Sequence, residues 1–189
     1  MIDKLSLTVD VLPNIEYLEN RGDIIEDKGR RNLYKYLCKM DKASVLYLPH
    51  KFSDVINANI AASKIEINPK FFECYSEMLA YIFAIFMVDL NEESFNPSRI
   101  DIAADIEGIS TDSILSMLRV ERIRAESLSF FKGTIYAGSN PKIRIYNKVE
   151  EIKARLRKGV EITDYEKGLV ESGKIYTRFE VQIPAPLSS

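Results

Sequence analysis

Residues 142–158 read KIRIYNKVEEIKARLRK. Strand-like alternation over KIRIYNK runs straight into a helix-like pattern, VEEIKARLRK, and Tyr146 sits near the junction. Arg144 and Lys148 flank it at spacing two, and Glu150 and Glu151 follow within one helical turn. Two other stretches carry ionic residues at every second position. In SRIDIAADIEG, Arg99, Asp101, Ala103 and Asp105 share one strand face, and Ile100, Ile102, Ala104 and Ile106 take the other. In YTRFEVQI, Arg178, Glu180 and Gln182 oppose Phe179, Val181 and Ile183. If the three strands are neighbours, their polar faces form one ionic surface on a hydrophobically anchored sheet. Asp101 and Glu180 then lie near the tyrosine, and Glu151 leans over the same spot from the next helix.

The chemistry follows from residue type. Carboxylate oxygens suit Mg²⁺ or Mn²⁺ rather than zinc. The chain has one histidine, His50 in LPHKF, and two separated cysteines, so no His-rich or CxxC site can be built. A divalent ion at Asp101, Glu180 and Glu151 would polarise a phosphate. A tyrosine, with an ordinary pKa of about 10, needs help to act as a nucleophile at neutral pH. Lys148 and the metal would favour its phenolate. These parts together could transfer a DNA phosphoryl group to Tyr146. The plainer alternative is an antiparallel sheet facing water, with cross-strand ion pairs worth about 0.2–1 kcal/mol each and a tyrosine packed among them.

The elements that must position these residues can be read from periodicity. Alternation marks strands at Lys4–Leu12, Ala43–Leu48, Lys64–Ile67, Arg99–Ile106, Gly133–Ala137, Lys142–Asn147 and Ile175–Ile183. Helical patterns cover Asp27–Met40, Phe71–Leu90, Thr111–Arg122 and Val149–Lys158, the third capped by Ser110 or Thr111 and the fourth ended by Gly159. Gly138-Ser139-Asn140-Pro141 is turn chemistry, so 133–147 reads as a β-hairpin. The expected fold is α+β, a central antiparallel sheet with helices packed on one side.

A chain of 189 residues, 46% hydrophobic and 29% charged, has the balance of one ordinary globular domain. The apolar run MLAYIFAIFMV is too short to span a bilayer and reads as a core helix. MIDKLSLTVDV alternates and lacks the apolar block of a signal peptide. Cys38 and Cys74 read as two buried thiols in a reducing compartment, which with the rest suggests the cytoplasm. Residues 119–158 hold eleven lysines and arginines against four acids, although the whole chain is at −2. Such a segment suits a phosphate-bearing partner, and Lys142, Arg144, Lys153, Arg155 and Arg178 are the candidate DNA contacts. The end at PAPLSS directly follows a strand, so residues 1–189 are expected to form the N-terminal domain of a longer protein.

MIDKLSLTV at the start, then SRID, IYNKVEE and RFEVQI, resemble in order the replication initiators of filamentous phages. GTIYAGS followed by RIYNK and RFE is also similar to the Rep_trans plasmid initiators, a divergent branch of the HUH endonucleases. The resemblance spans nearly the whole chain in ordered motifs, with little between them. It implies an HUH-like nicking domain that starts rolling-circle replication. It also implies that Tyr146 is the nucleophile, Lys148 its catalytic partner, and Asp101, Glu180 and Glu151 the acids that hold Mg²⁺ or Mn²⁺. Glu150 adjoins Glu151 and the alignment can slip by one. The product would be a 5′-phosphotyrosyl link with a free 3′-OH. Origin DNA, single-stranded or as an extruded hairpin, would be the substrate, and a host helicase a further partner. The paired histidines of other HUH enzymes are absent.

Two other classes remain open on sequence. A non-catalytic single-stranded nucleic-acid-binding domain would stack bases on Tyr136, Tyr146 and Tyr176. A protein-interaction domain would use the basic segment only as a solvated surface. Among enzymes, a conjugative relaxase would run the same chemistry on another DNA. No P-loop or dinucleotide fingerprint occurs, which argues against an ATPase within this chain.

Overall fold

A computed structural model describes residues 1–28, 33–50, 60–88, 95–117, 128–138 and 140–185. The chain, read from sequence as one domain, divides into two compact units. The N-terminal unit is Ile2–Ile100 with the residues from Ala185, and the C-terminal unit is Asp101–Pro184 with Met1.

The N-terminal unit contains β1 (Ile2–Val9), β2 (Asp23–Glu26), β3 (Tyr34–Lys39), β4 (Ala43–Pro49), β5 (Ser63–Ile67) and the start of β6 (Phe95–Glu107). Helices α1 (Ile15–Glu19) and α2 (Tyr75–Phe86) accompany them. The sheet order is β2-β3-β4-β5-β1-β6, and the registered pairs are antiparallel. Leu7, Val9, Cys38, Val45, Ile65 and Ile67 from alternate strand positions meet Leu18 of α1 and Met78, Ile82, Ile85 and Phe86 of α2 in one core. Lys4 and Lys64 pair with Glu66 on the opposite, wetter face. In this unit the helices lie on one side of the sheet, as the sequence suggested.

The C-terminal unit contains β6 from Asp101, then β7 (Leu128–Phe131), β8 (Thr134–Ala137), β9 (Lys142–Asn147) and β10 (Tyr176–Pro184). Its helices are α3 (Thr111–Met117), α4 (Lys148–Leu156) and α5 (Asp164–Glu171). The order is β6-β10-β9-β8-β7. Ile114 of α3 packs with Ile135 and Ile145, so α3 covers the isoleucine face. Tyr165 of α5 donates to Asp105 at 3.1 Å, and Glu166 meets Lys148 of α4, so α4 and α5 lie over the ionic face. Helices on one side is therefore corrected here to helices on both. Alternation tells which residues share a face, not which face is covered. Charges that neutralise one another can be closed over by a helix pair.

Other boundaries moved for identifiable reasons. The helix expected over 27–40 gives way to β2 and β3, with residues 29–32 outside the described set. YKYLCK buries Tyr34 and Cys38, at spacing four, and aromatic and β-sheet packing overrides the charged run before it. The second expected helix begins at Tyr75, behind a 3₁₀ turn at Pro69–Phe71, and residues 89 and 90 lie outside the described set. The third is described only to Met117, capped by Ser110, whose Oγ accepts from the Ser113 N–H at 3.1 Å. Cys38 is buried but Cys74 is exposed, correcting the pair of buried thiols. Among the described residues no helix is long and apolar enough to cross a membrane.

Candidate functional site

The junction that opens the sequence question is a strand running directly into a helix cap. Tyr146 is the penultimate residue of β9, and Asn147 is the N-cap of α4, its side chain accepting from the Glu150 N–H at 3.1 Å. Asparagine is a favoured cap because its side chain satisfies an otherwise orphaned N–H. Glu150 and Glu151 then sit in the first turn, and Lys153 and Arg155 in the last, each at the end that suits the helix dipole. The cap fixes the strand end, and so fixes the face on which Tyr146 points.

The expected adjacency of the three ionic strands is what the structure contains. β10 pairs antiparallel with β9, setting Arg178 opposite Tyr146, Glu180 opposite Arg144 and Gln182 opposite Lys142. On the other side of β10, Tyr176 donates to Glu107 at 2.9 Å, and Arg178 forks onto Asp105 with both contacts at 2.6 Å. Continuing antiparallel from the Gly108 N–H bond to the Ile175 carbonyl, Asp101 falls opposite Gln182 and diagonal to Glu180, about 7–8 Å away by the spacing of such neighbours.

Glu180 is the hub. Its Oε2 accepts from the Tyr146 hydroxyl at 3.1 Å, and its Oε1 accepts from Arg144 Nη1 and Gln182 Nε2, each at 3.0 Å. Glu180 is 3% exposed and Tyr146 is 8% exposed. The Arg144 guanidinium also lies 5.2 Å from the Tyr146 ring centroid, within range of a cation–π attraction. Burial, then the Glu180 carboxylate, push the Tyr146 phenol well above its ordinary pKa, against the opposing pull of Arg178 and Arg144. The expectation that Lys148 favours the phenolate is thus corrected. Its ammonium, 3% exposed, is committed to Glu151 at 2.7 Å and Glu166 at 3.4 Å.

Among the described residues no group of three or more histidine, cysteine, aspartate or glutamate side chains is arranged to hold an ion. Glu180 spends both oxygens on protein donors, and Glu151 faces Lys148 and, at 3.8 Å, Arg155. Asp101 is buried on the sheet face. In this arrangement Asp101, Glu180 and Glu151 do not fit a metal as a three-carboxylate set.

The candidate DNA contacts separate by burial. Arg178 is 3% exposed and its fork is filled by Asp105, so its expected role on DNA is corrected to a structural one. Burial pushes the Asp105 carboxyl up, but the hydrogen bonds and charge of Arg178 outweigh it and hold the pKa below the usual range. Arg155 is also diverted: it donates to Glu166 at 2.7 Å and to the Glu161 carbonyl at 3.1 Å. Lys153 is half-exposed and shares Glu150 along its own helix. Lys142 lies 5.0 Å from the Tyr136 ring centroid. Arg144 keeps a third of its side chain exposed, and its Nε has no hydrogen-bond partner. Residues 119–127 of the basic segment lie outside the described set. His50 is partly buried 3.9 Å from Asp27 in the other unit.

Sequence reasoning missed Glu166. It is 1% exposed, closes a capping box with Thr163 at the start of α5, and receives both Arg155 and Lys148. The signal was present: T-x-x-E ahead of an apolar-periodic stretch is the sequence form of that box. No family model, curated protein or solved structure matches this chain.

Proposed function

We propose that the chain is a DNA-nicking strand transferase that starts rolling-circle replication, with Tyr146 as nucleophile. The observation that carries this reading is the Tyr146 hydroxyl donating to the Glu180 carboxylate at 3.1 Å, with Arg144 beside both. A phenol held neutral by burial cannot wait as a phenolate; its proton must leave as the bond forms. Glu180 already accepts that hydrogen bond and is the base the geometry supplies. The Tyr146 oxygen bonds to phosphorus while the bond from phosphorus to the 3′ oxygen breaks. Glu180 takes the phenolic proton, and the leaving 3′ oxygen takes one from solvent. The products are a 5′-phosphotyrosyl link and a free 3′-OH. Arg144 keeps a third of its side chain exposed beside Glu180, and that exposed part of its guanidinium is suited to the phosphoryl oxygens. Lys148, Glu151, Glu166 and Arg155 act through packing: their charge cluster, with Lys148 and Glu166 buried at its centre, holds α4 against α5.

Glu180 and Glu151 are already engaged by protein donors, and the step above needs no metal. The partners in this reading are origin DNA and a host helicase, in the cytoplasm, and a conjugative relaxase would share the chemistry. A second reading has its own support. Tyr146 is only 8% exposed, which suits a structural tyrosine in a nucleic-acid-binding domain. One experiment separates the two. Labelled single-stranded replicon DNA is incubated with wild type, Tyr146→Phe and Glu180→Gln, each with Mg²⁺, Mn²⁺ or chelator, and run on a denaturing gel. A covalent band with wild type, absent in Tyr146→Phe, supports nicking, and its response to chelator reads the metal requirement directly. DNA binding without any band supports the binding domain.

A further inference from the structure

The geometry points to a single-strand stacking platform at the β7–β8 hairpin, on the same sheet face as Tyr146. Lys132 and Gly133 form the tip, both in the left-handed region at φ 49° and 76°. Positive φ at both central residues matches the tight hairpin turn whose twist suits the flanking strands. Register then assigns the faces. Phe131 stands opposite Thr134, which stands opposite Tyr146; Ser129 stands opposite Tyr136, which stands opposite Arg144. Phe131 and Tyr136 therefore share the face of Tyr146 and Glu180, while Phe130 belongs to the isoleucine face. Phe131 is two strand spacings from Tyr146, about 10 Å.

Phe131 is 61% exposed, at the tip of a tight turn where no core holds it. Lys132 Nζ lies 5.2 Å from its ring centroid, and Lys142 Nζ lies 5.0 Å from that of Tyr136. Each ring thus carries an ammonium over one face and leaves the other for a base. Residues 128–148 contain Lys132, Lys142, Arg144 and Lys148 and no acid. The nearest carboxylate across the register from Tyr136 is Glu180, which Arg144 and the Tyr146 hydroxyl already engage, so an aromatic pair flanked by cations complements a polyanion with exposed ring faces. Unpaired nucleobases meet both requirements: the base faces stack on Phe131 and Tyr136, and the phosphates meet Lys132 and Lys142. A duplex hides its base faces in its own stack, so the platform selects single strands. It reads no base edges, so it tolerates any sequence.

This inference rests on the nucleic-acid reading of the site but not on cleavage. The test is equilibrium binding of fluorescein-labelled oligothymidylate, and of a duplex of equal length, to the full chain. The variants are Phe131→Ala, Phe131→Trp, Tyr136→Ala and Lys132→Ala. Each alanine at a ring is expected to weaken oligothymidylate binding roughly tenfold, from the alanine cost of a base–aromatic stack. Phe131→Trp restores it, duplex binding barely changes, and Lys132→Ala makes the salt dependence shallower by about 0.7 in log–log slope. Because Phe131 is exposed, its variants keep the thermal midpoint of wild type. Ring variants that bind like wild type, equal losses for duplex and single strand, or no oligonucleotide binding by wild type would each overturn the platform. Ring-dependent binding without a covalent adduct leaves the platform standing and removes the nickase.

Discussion

Truncating Arg178 gives the sharpest energetic test of the site's frame. Its guanidinium meets both oxygens of Asp105 at 2.6 Å, with the two side chains only 4% and 5% exposed. Arg178→Ala leaves the Asp105 charge buried, opposite one phenolic donor, Tyr165. Breaking a buried pair from one side costs about 3–5 kcal/mol. For a chain of this length each kcal/mol moves the midpoint by roughly 2–4 °C, so the melting temperature should fall by about 6–20 °C. The double variant Asp105→Leu/Arg178→Met removes both charges and should recover most of that loss. Calorimetry on the three proteins gives the cycle. A loss below about 1 kcal/mol in Arg178→Ala would mean that the pair behaves as an exposed one. The reasoning that takes Arg178 away from DNA would then fail.

Three further outcomes follow from the same geometry. The pKa of Asp105 is depressed by Arg178, so its contribution to stability is present above the unfolded carboxyl value of about 3.9 and lost as pH falls through the folded value. Acid titration of stability should therefore be steeper in wild type than in the Asp105→Leu/Arg178→Met variant. The Tyr146 phenol is raised, so its contribution is present below about pH 10 and lost as pH rises toward the folded value; ultraviolet difference titration against Tyr146→Phe should find one tyrosine ionising late. Glu166→Ala removes the carboxylate half of the α5 capping box and leaves Lys148 buried beside Glu151 alone, so urea unfolding should register a loss of about 3 kcal/mol or more.

Much of the site was legible because strand alternation is a local signal. Residues at spacing two must share a face, and Tyr146, Arg144, Glu180, Arg178 and Asp101 do. The boundaries of β9 match the expected 142–147, since turn chemistry at Gly138 and the Asn147 cap bracket it. A side chain at Gly138, φ 70°, would come within 2.6 Å of the Pro141 carbonyl oxygen, which explains a glycine there. What alternation cannot carry is the third dimension. Nothing in KIRIYNK says that α4 and α5 lie over its ionic face, so Tyr146 and Glu180 read as surface groups and Lys148 as a free cation. The same holds for the expected ligands: spacing collects carboxylates, but only packing reveals that Arg144 and Gln182 engage Glu180 and that Lys148 engages Glu151. The misread helix over 27–40 is a different failure, a charged run beside YKYLCK, whose apolar positions fit either period.

The central claim, that Tyr146 attacks phosphorus with Glu180 as base, is tested most directly on the covalent product itself. Wild-type protein is trapped on single-stranded replicon DNA, digested with protease and nuclease, and the nucleotide-bearing peptide is sequenced by mass spectrometry. The account predicts one modified residue, Tyr146, with Glu180→Gln forming the same adduct far more slowly. Modification of Tyr136 or another tyrosine, or an adduct that forms at full rate in Glu180→Gln, would contradict it.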